Sequence, residues 1–429
     1  MKLKVIQDKG CIYLPEEIQE KYNLNKEIKI CHGKLTSRAI IKSTKEELAI
    51  SQDLADLLKI KEVDYDFKII NSEMIILGPV VGILAKKNFS ALTLKFLSRM
   101  ERFAINYTKG LLIVFSLDKI KDSSVRGYYF NPEKNKFEEA ELPFPLSVYR
   151  RIGLNLFEKN MLQSIIGKSY FNSHFLNKYE VYKLLSQFED LKAHIPYTIL
   201  YKNPSDLFEM IDKFKIIYAK PILGLQGRKV YKISKEEGYI KLRFREEGLN
   251  KTAIMNIHQA NVIDEYIKSG NFILQQGIDL IEYEGRSLDL RCIMTKDRSN
   301  TWILNGIVVR VAPQGSVVTN VSSGGGAYMF EDFFINNMGF SDVYTFLLKE
   351  KIDIFCRRIC DCLDNLGYNM GYLGIDIGVD KYHNVFLIEI NSRDPDATIA
   401  LDAQNTLLYY DIKANIVDYL NYLSGFGDG

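Results

Sequence analysis

The sequence predicts an α/β protein in three units: a small β-rich module over residues 1–76, an α/β domain over 77–165, and a larger region of α+β lobes over 166–429. Three observations predict it. A weak internal repeat relates residues 12–24 to residues 48–60, and a strand–helix–strand alternation runs through 80–115. Far downstream of a glycine–lysine loop at 220–227, an acidic hairpin occupies 374–391.

The repeat has an offset of 36 residues, and apolar positions 12, 14, 18, 22 and 24 map onto 48, 50, 54, 58 and 60. Each half reads as a strand, a short helix and a second strand, at 27–31 and 65–70. Two interlocked halves of this kind make a small closed barrel, which removes exposed strand edges. Such a module resembles swapped-hairpin and double-psi barrels, some of which bind DNA. With no basic excess here, docking or dimerisation is the expected role.

Residues 80–85 read as a buried strand, 91–107 as a helix with apolar residues at helical spacing, and 110–115 as the next strand. That alternation implies a parallel sheet. After the Phe144-Pro-Leu turn come Arg150 and Arg151. They are either candidate carboxylate anchors, since guanidinium grips carboxylate bidentately, or a solvated pair.

In the third unit a β-branched strand runs into Lys220-Pro221, then a loop with Gly224, Gln226 and Gly227, then a returning strand from Val230. Glycines let backbone N–H groups approach phosphate oxygens closely, and a lysine at a strand end supplies a point charge. This is no Walker A loop, because no Gly-Lys-Ser/Thr follows. In the distant hairpin, Asp376 ends one apolar run, while Glu389 and Asn391 sit in the next. Residues i and i+2 of a strand share a face, so Glu389 and Asn391 point together, and pairing can bring Asp376 beside them. Two carboxylates and an amide oxygen form a hard, all-oxygen site suited to Mg²⁺ on nucleotide phosphates. The alternative is two salt-bridged acids and a turn asparagine on a solvated strand.

With these two motifs the chain resembles the ATP-grasp superfamily over roughly 170–425, its nearest members of known chemistry being bacterial glutathione synthetase and the ribosomal-protein glutamate ligases. More narrowly it resembles the endospore coat-associated ATP-grasp family, through Gly285-Arg-Ser-Leu-Asp-Leu-Arg291, Val318-Thr-Asn-Val-Ser-Ser-Gly-Gly325 and Phe144-Pro-Leu-Ser-Val-Tyr-Arg-Arg-Ile152. The resemblance implies an ATP-grasp fold preceded by an α/β pre-ATP-grasp domain. It implies that Lys178, Lys220 and the Gly224–Gly227 loop, with Gln226, grip the phosphates of ATP. It also implies a hinge at Gln276 and Gly277 whose backbone faces the adenine, an Asp289 that holds the ribose, and a Mg²⁺ site at Asp376, Glu389 and Asn391. Arg291, Arg310 and Asn320 are the catalytic candidates, the arginines for the developing oxyanion and the asparagine loop for orienting the carboxylate donor. Glutathione synthetases and the glutamate ligases carry an arginine two residues before that asparagine, whereas here the position is Val318.

The implied activity is a carboxylate–amine ligase that forms an amide through an acylphosphate on an amino acid, peptide or protein tail, in spore coat formation. The alternative is a non-catalytic, nucleotide-binding scaffold of the spore coat. Expected partners are a carboxylate substrate, an amine acceptor, coat proteins and a second copy of the chain. A net charge of +2 with 26% charged residues argues against nucleic-acid or polybasic membrane binding. The N-terminus lacks a long apolar region and no apolar run is long enough to span a bilayer, so a cytoplasmic protein, associated with the spore coat, is expected. Six scattered cysteines suggest a reducing compartment. Cys356, Cys360 and Cys362 read as helix packing residues, with no fourth ligand at metal spacing.

Overall fold

Both halves of the N-terminal repeat fold alike. In the computed structural model, which describes residues 3–45, 48–105, 107, 109–224, 229–256, 262–263, 265–316 and 325–427, the chain opens with β1 (Lys4–Ile6). Then come β2 (Cys11–Pro15), α1 (Glu16–Lys21), β3 (Glu27–His32) and β4 (Leu35–Thr44). The second half repeats that order as β5 (Ala49–Ser51), α2 (Gln52–Leu57), β6 (Asp66–Asn71) and β7 (Met74–Gly78). The halves interlock, because β2 pairs antiparallel with β5 and β3 pairs parallel with β7. The result is one sheet, ordered β1-β5-β2-β4-β3-β7-β6, whose end strands β1 and β6 do not pair with each other among the described residues. Ile12, Leu14, Ile50, Leu54 and Leu58, all repeat positions, meet in its core.

The second sheet holds β8 (Val80–Lys86), β9 (Leu111–Lys121), β10 (Ser124–Asn131), β11 (Lys136–Pro143), β12 (Ser147–Arg150) and β13 (Tyr170–Phe171). Helix α3 (Leu94–Met100) crosses between β8 and β9, and α4 (Leu156–Ile166) between β12 and β13. The expected parallel pairing is present, since β8 runs parallel to both β9 and β12. Beyond it, β9, β10 and β11 form antiparallel hairpins, so the sheet is mixed. The helix read over 91–107 is shorter. It opens at Thr93, whose hydroxyl accepts from the Phe96 N–H, and gives way to a 3₁₀ turn at Glu101–Phe103. Phe103 and Ala104 remain buried through that turn, so the apolar period outlasts the helix.

The third sheet, ordered β14-β19-β15-β16-β17-β18, is antiparallel throughout. After α5 (Lys178–Leu185) and α6 (Glu189–Lys192) come β14 (Thr198–Leu200), α7 (Pro204–Phe214), β15 (Ile216–Pro221), β16 (Tyr231–Glu236), β17 (Tyr239–Glu246), β18 (Leu249–Asn256) and β19 (Phe272–Gln276).

The fourth sheet is antiparallel, ordered β23-β22-β21-β24-β25, with β20 (Glu282–Tyr283) beside β21. Its strands are β21 (Arg286–Lys296), β22 (Trp302–Val311), β23 (Gly326–Met329), β24 (Tyr372–Val379) and β25 (Val385–Asn391). The short α8 (Phe330–Asp332) and the long α9 (Asp342–Asn365) precede β24, and α10 (Ile399–Asp402) and α11 (Thr406–Leu423) follow β25. One face packs on α9 through Phe355, Cys356, Ile359 and Cys360. Against the other, α11 sets Ile412, Ile416 and Leu420 in a core shared with Tyr149 and Phe171 of the second sheet. All six cysteines are buried and unpaired. Cys362 is buried along with Cys356 and Cys360, because α9 is covered on more than one side.

Asn172 ties the second and fourth sheets together. Its φ of 52° lies in the left-handed region, which Asn tolerates better than most residues. Its amide donates to the Tyr372 carbonyl at 2.8 Å and accepts from the Gly371 and Tyr372 N–H groups, each at 3.1 Å.

Candidate active site: a cleft between the third and fourth sheets

Each functional side chain is placed by strand register or by a helix cap. Across the fourth sheet, Arg310 of β22 lies opposite Asp289 of β21, Arg291 opposite Asp376 of β24, and Asp376 opposite Glu389 of β25. Gly374 pairs with Asn391, so the hairpin gathers Asp376, Glu389 and Asn391 at one end, as the spacing predicts. Lys178 opens α5, behind a capping box in which Asn177 and Glu180 exchange hydrogen bonds. Lys220 ends β15 opposite Ile273 of β19.

These elements wall a cleft of about 820 Å³, including its open mouth, with Lys178, Lys220, Gly224, Gln275, Glu389 and Asn391 in its lining. Val181, Ile195, Ile222 and Leu387 supply apolar wall. Lys178 Nζ lies 3.0 Å from Glu389 Oε1 and donates to the Gly224 carbonyl at 3.2 Å. Lys220 Nζ donates to Gln275 Oε1 at 2.6 Å, and Gln275 in turn donates to Thr198 Oγ1 at 3.1 Å. Lys220 has no carboxylate within ion-pairing distance among the described residues, and burial pushes its pKa down to about 8, against the pull of Glu389.

Behind the cleft a buried ion network crosses three strands. Asp376 Oδ1 accepts from Arg291 Nε at 2.5 Å, and Asp376 Oδ2 lies 3.2 Å from Arg291 Nη2 and 3.0 Å from Arg310 Nη2. Arg310 also grips Asp289 bidentately at 2.6 and 2.7 Å. Burial alone would raise the Asp376 pKa, but the charges of Arg291 and Arg310 outweigh it and hold the carboxyl below its usual value.

The donor chemistry fits Mg²⁺ at Glu389 and Asn391, oxygen-bearing groups that line the cleft. Asp376 stands just behind them, with the Asn391 amide 3.4 Å from its Oδ2. Its oxygens are already engaged by two guanidinium groups, so metal coordination there requires Arg291 or Arg310 to turn elsewhere. Four cations (Lys178, Lys220, Arg291, Arg310) meet three carboxylates (Asp289, Asp376, Glu389), which leaves the ligand-free site net positive. An anionic ligand is favoured electrostatically.

Some expected site residues lie elsewhere. Gln276 ends β19 and Gly277 follows it, their backbone N–H groups bonded to the Tyr197 and Ile216 carbonyls at 2.8 and 2.9 Å, and the Gln276 side chain accepts from the Tyr197 N–H. The neighbouring Gln275 is the glutamine that lines the cleft. Alternation along a strand sends adjacent residues to opposite faces, and the signal for Gln275 was its shared parity with Ile273. Asp289 is buried on Arg310 rather than in the cleft lining. Arg150 is buried, and its guanidinium donates to the Asn172 and Ile152 carbonyls, both at 2.6 Å. Neither a free carboxylate anchor nor a solvated arginine describes it. Arg151 forks onto Asp394 at 2.8 to 3.1 Å. Gln226, Gly227, Val318 and Asn320 lie outside the described residues. Nothing in the sequence pattern pointed to Thr198 or Asp394.

A lysine-bearing strand–loop–strand sheet closing on a second sheet with an acidic hairpin defines an ATP-grasp protein. The profile of the YheC/D-like ATP-grasp family matches residues 167–423, and the chain belongs to that family. It is 25% identical over 383 residues to the endospore coat-associated protein YheD of Bacillus subtilis (strain 168), a match covering 83% of this chain and 81% of YheD. To YheC of the same organism, also named endospore coat-associated, it is 21% identical over 320 residues, covering 72% of this chain and 86% of YheC. Among solved structures it is similar to the ATP-grasp ligase PsnB complexed with a phosphomimetic variant of its minimal precursor, Mg and ADP. That match has a TM-score of 0.46 at 13% identity, covering 79% of this chain and 98% of the other. Among the described residues, no helix is long and apolar enough to cross a membrane.

Proposed function

We propose that the chain is an ATP- and Mg²⁺-dependent carboxylate–amine ligase that joins an amino acid, peptide or protein tail to an amine in forming the spore coat. One observation carries the reading: Lys220, an ammonium without a counter-ion among the described residues, shares a cleft with a second lysine and the oxygen donors Glu389 and Asn391. A cation held ready in a partly apolar cleft suits a phosphate chain. Lys178, at the start of α5, adds its charge to the positive end of that helix, a favoured place for phosphate.

Glu389 and Asn391 would hold Mg²⁺, which when bound would supply neutralising charge for phosphoryl transfer. Lys178 and Lys220 bind and orient the phosphates from both walls, and Gln275 fixes the direction of the Lys220 side chain. A substrate carboxylate oxygen attacks the γ-phosphorus in line, the bond to the β,γ-bridging oxygen breaks, and ADP departs to leave an acylphosphate. An amine then attacks the acyl carbon, phosphate leaves, and the amine's proton goes to that phosphate or to water. Such transfer needs positioning and charge stabilisation more than covalent help. Arg291 stands behind the cleft on Asp376, and stabilising the developing oxyanion would require it to release that carboxylate, which Arg310 also holds.

The engagement of Asp376 by both arginines favours a second reading, a nucleotide-binding scaffold of the coat. Glu389→Gln separates the two. It preserves shape and removes one charge, and losing one electrostatic contact at a transition state costs on the order of 3–4 kcal/mol. Incubation with ATP, amino acids and coat-protein extracts, read by mass spectrometry, should give a new amide with the natural chain and none with the variant. Restoration of normal function by the Glu389→Gln chain in cells lacking the native copy overturns the ligase reading.

A further inference from the structure

A second cleft opens between α3, the loop after β25 and α11, with about 720 Å³ of space. Lys413 of α11 lines it although its side chain is more than nine-tenths buried. Among the described residues Lys413 makes no hydrogen bond or ion pair. Its ammonium lies 4.5 Å from the Phe103 ring centroid and 5.5 Å from that of Tyr409. The acids nearby are otherwise engaged. Asp394 is held by Arg151 and accepts from Tyr149 Oη at 2.9 Å, and Asp396 Oδ1 accepts from the Thr398 N–H and hydroxyl at 2.9 and 2.7 Å. Arg102 leans on Tyr409, and Arg99 adds an exposed cation at the rim. The ammonium faces the cleft with aromatic rings beside it, and aromatic faces offset only part of the cost of withdrawing a charge from water.

We propose that this cleft binds a non-reacting carboxylate of the amino-acid or peptide substrate, with Lys413 as its anchor. The two clefts share Asp394 in their walls, which makes them neighbours and puts the Lys413 cleft beside the wall that carries Glu389 and Asn391. Arg151 cannot serve as the anchor, because its fork is filled by Asp394. Burial pushes the Lys413 pKa down to about 8, which favours reading its occupancy by amine modification at mildly alkaline pH. The word substrate rests on the ligase reading, but the binding does not require nucleotide.

The test is trace acetylation of the full chain at pH 8, with the Lys413 modification rate read by peptide mass spectrometry against the other lysines. Glutamate, the Glu-Glu dipeptide, its C-terminal amide and inorganic phosphate are the probes, without nucleotide. The dipeptide should protect Lys413 at least threefold, and the amide much less. By calorimetry Lys413→Met should weaken dipeptide binding at least tenfold, while Lys413→Arg retains it and ADP binding is unchanged in both. No protection by any carboxylate, protection by phosphate alone, or equal dipeptide affinity in Lys413→Met overturns the proposal. Protection in a chain that fails to bind nucleotide would sink the ligase reading and leave this site standing.

Discussion

Arg291 and Asp376 face each other directly across β21 and β24, and their side chains meet with Nε and Oδ1 2.5 Å apart. Arg310 reaches the same carboxylate from β22. Asp376 is therefore the anion on which two buried guanidinium groups depend, whatever it does for a metal.

Asp376→Asn should consequently destabilise the fold. Removing one partner of a buried ion pair costs about 3–5 kcal/mol because the remaining charge is left uncompensated. Glu389→Gln, at a partly exposed pair, should cost less than about 1 kcal/mol. Urea unfolding compares them, and equal stabilities would mean the network is not structural. The folded-state pKa of Asp376 is depressed, so its contribution is present above the unfolded value of about 3.9 and lost as pH falls below it. Asp376→Asn should flatten that acid limb of the stability curve.

Lys220 makes a prediction at the other end of the pH scale. Its pKa near 8 means the free site loses this charge as pH rises through 8, whereas bound phosphate favours the protonated form. ATP affinity should fall between pH 7.5 and 9, and binding at pH 8.5 should take up protons. Calorimetry in two buffers of different ionisation enthalpy reads that uptake. An affinity flat across the range would remove Lys220 from the phosphate site.

Lys178→Ala and Lys220→Ala should each weaken nucleotide binding, by roughly tenfold or more if a charge-assisted hydrogen bond worth about 1.5–3 kcal/mol is lost. Melting temperatures without ligand should barely move. A collapse of the fold in either variant would mark that lysine as structural.

Asn172→Ala tests the tie between the second and fourth sheets. It removes three buried hydrogen bonds and puts alanine at positive φ. Leaving buried backbone groups unpaired costs about 1–3 kcal/mol each, and thermal melting should show a large drop. A change within a few tenths of a degree would mean water replaces the amide without cost.

Local periodicity and spacing sufficed for much of this. The repeat positions around Ile12 and Ile50, the strand from Val80, and the gathering of Asp376, Glu389 and Asn391 at one end of a hairpin all follow from side-chain alternation and short-range connection. Motif resemblance added the ATP-grasp fold. Tertiary structure alone decided which side of β19 faces the cleft, because a one-residue change of parity exchanges Gln275 for Gln276. It also decided that Arg150 is buried on main-chain carbonyls, that Asp394 fills Arg151, and that Lys413 has no hydrogen bond or ion pair among the described residues. Charge pairing across sheets joins residues far apart in the chain, such as Arg151 with Asp394 and Lys178 with Glu389. No local pattern encodes such a partner, because it depends on where two separately folded elements come to rest.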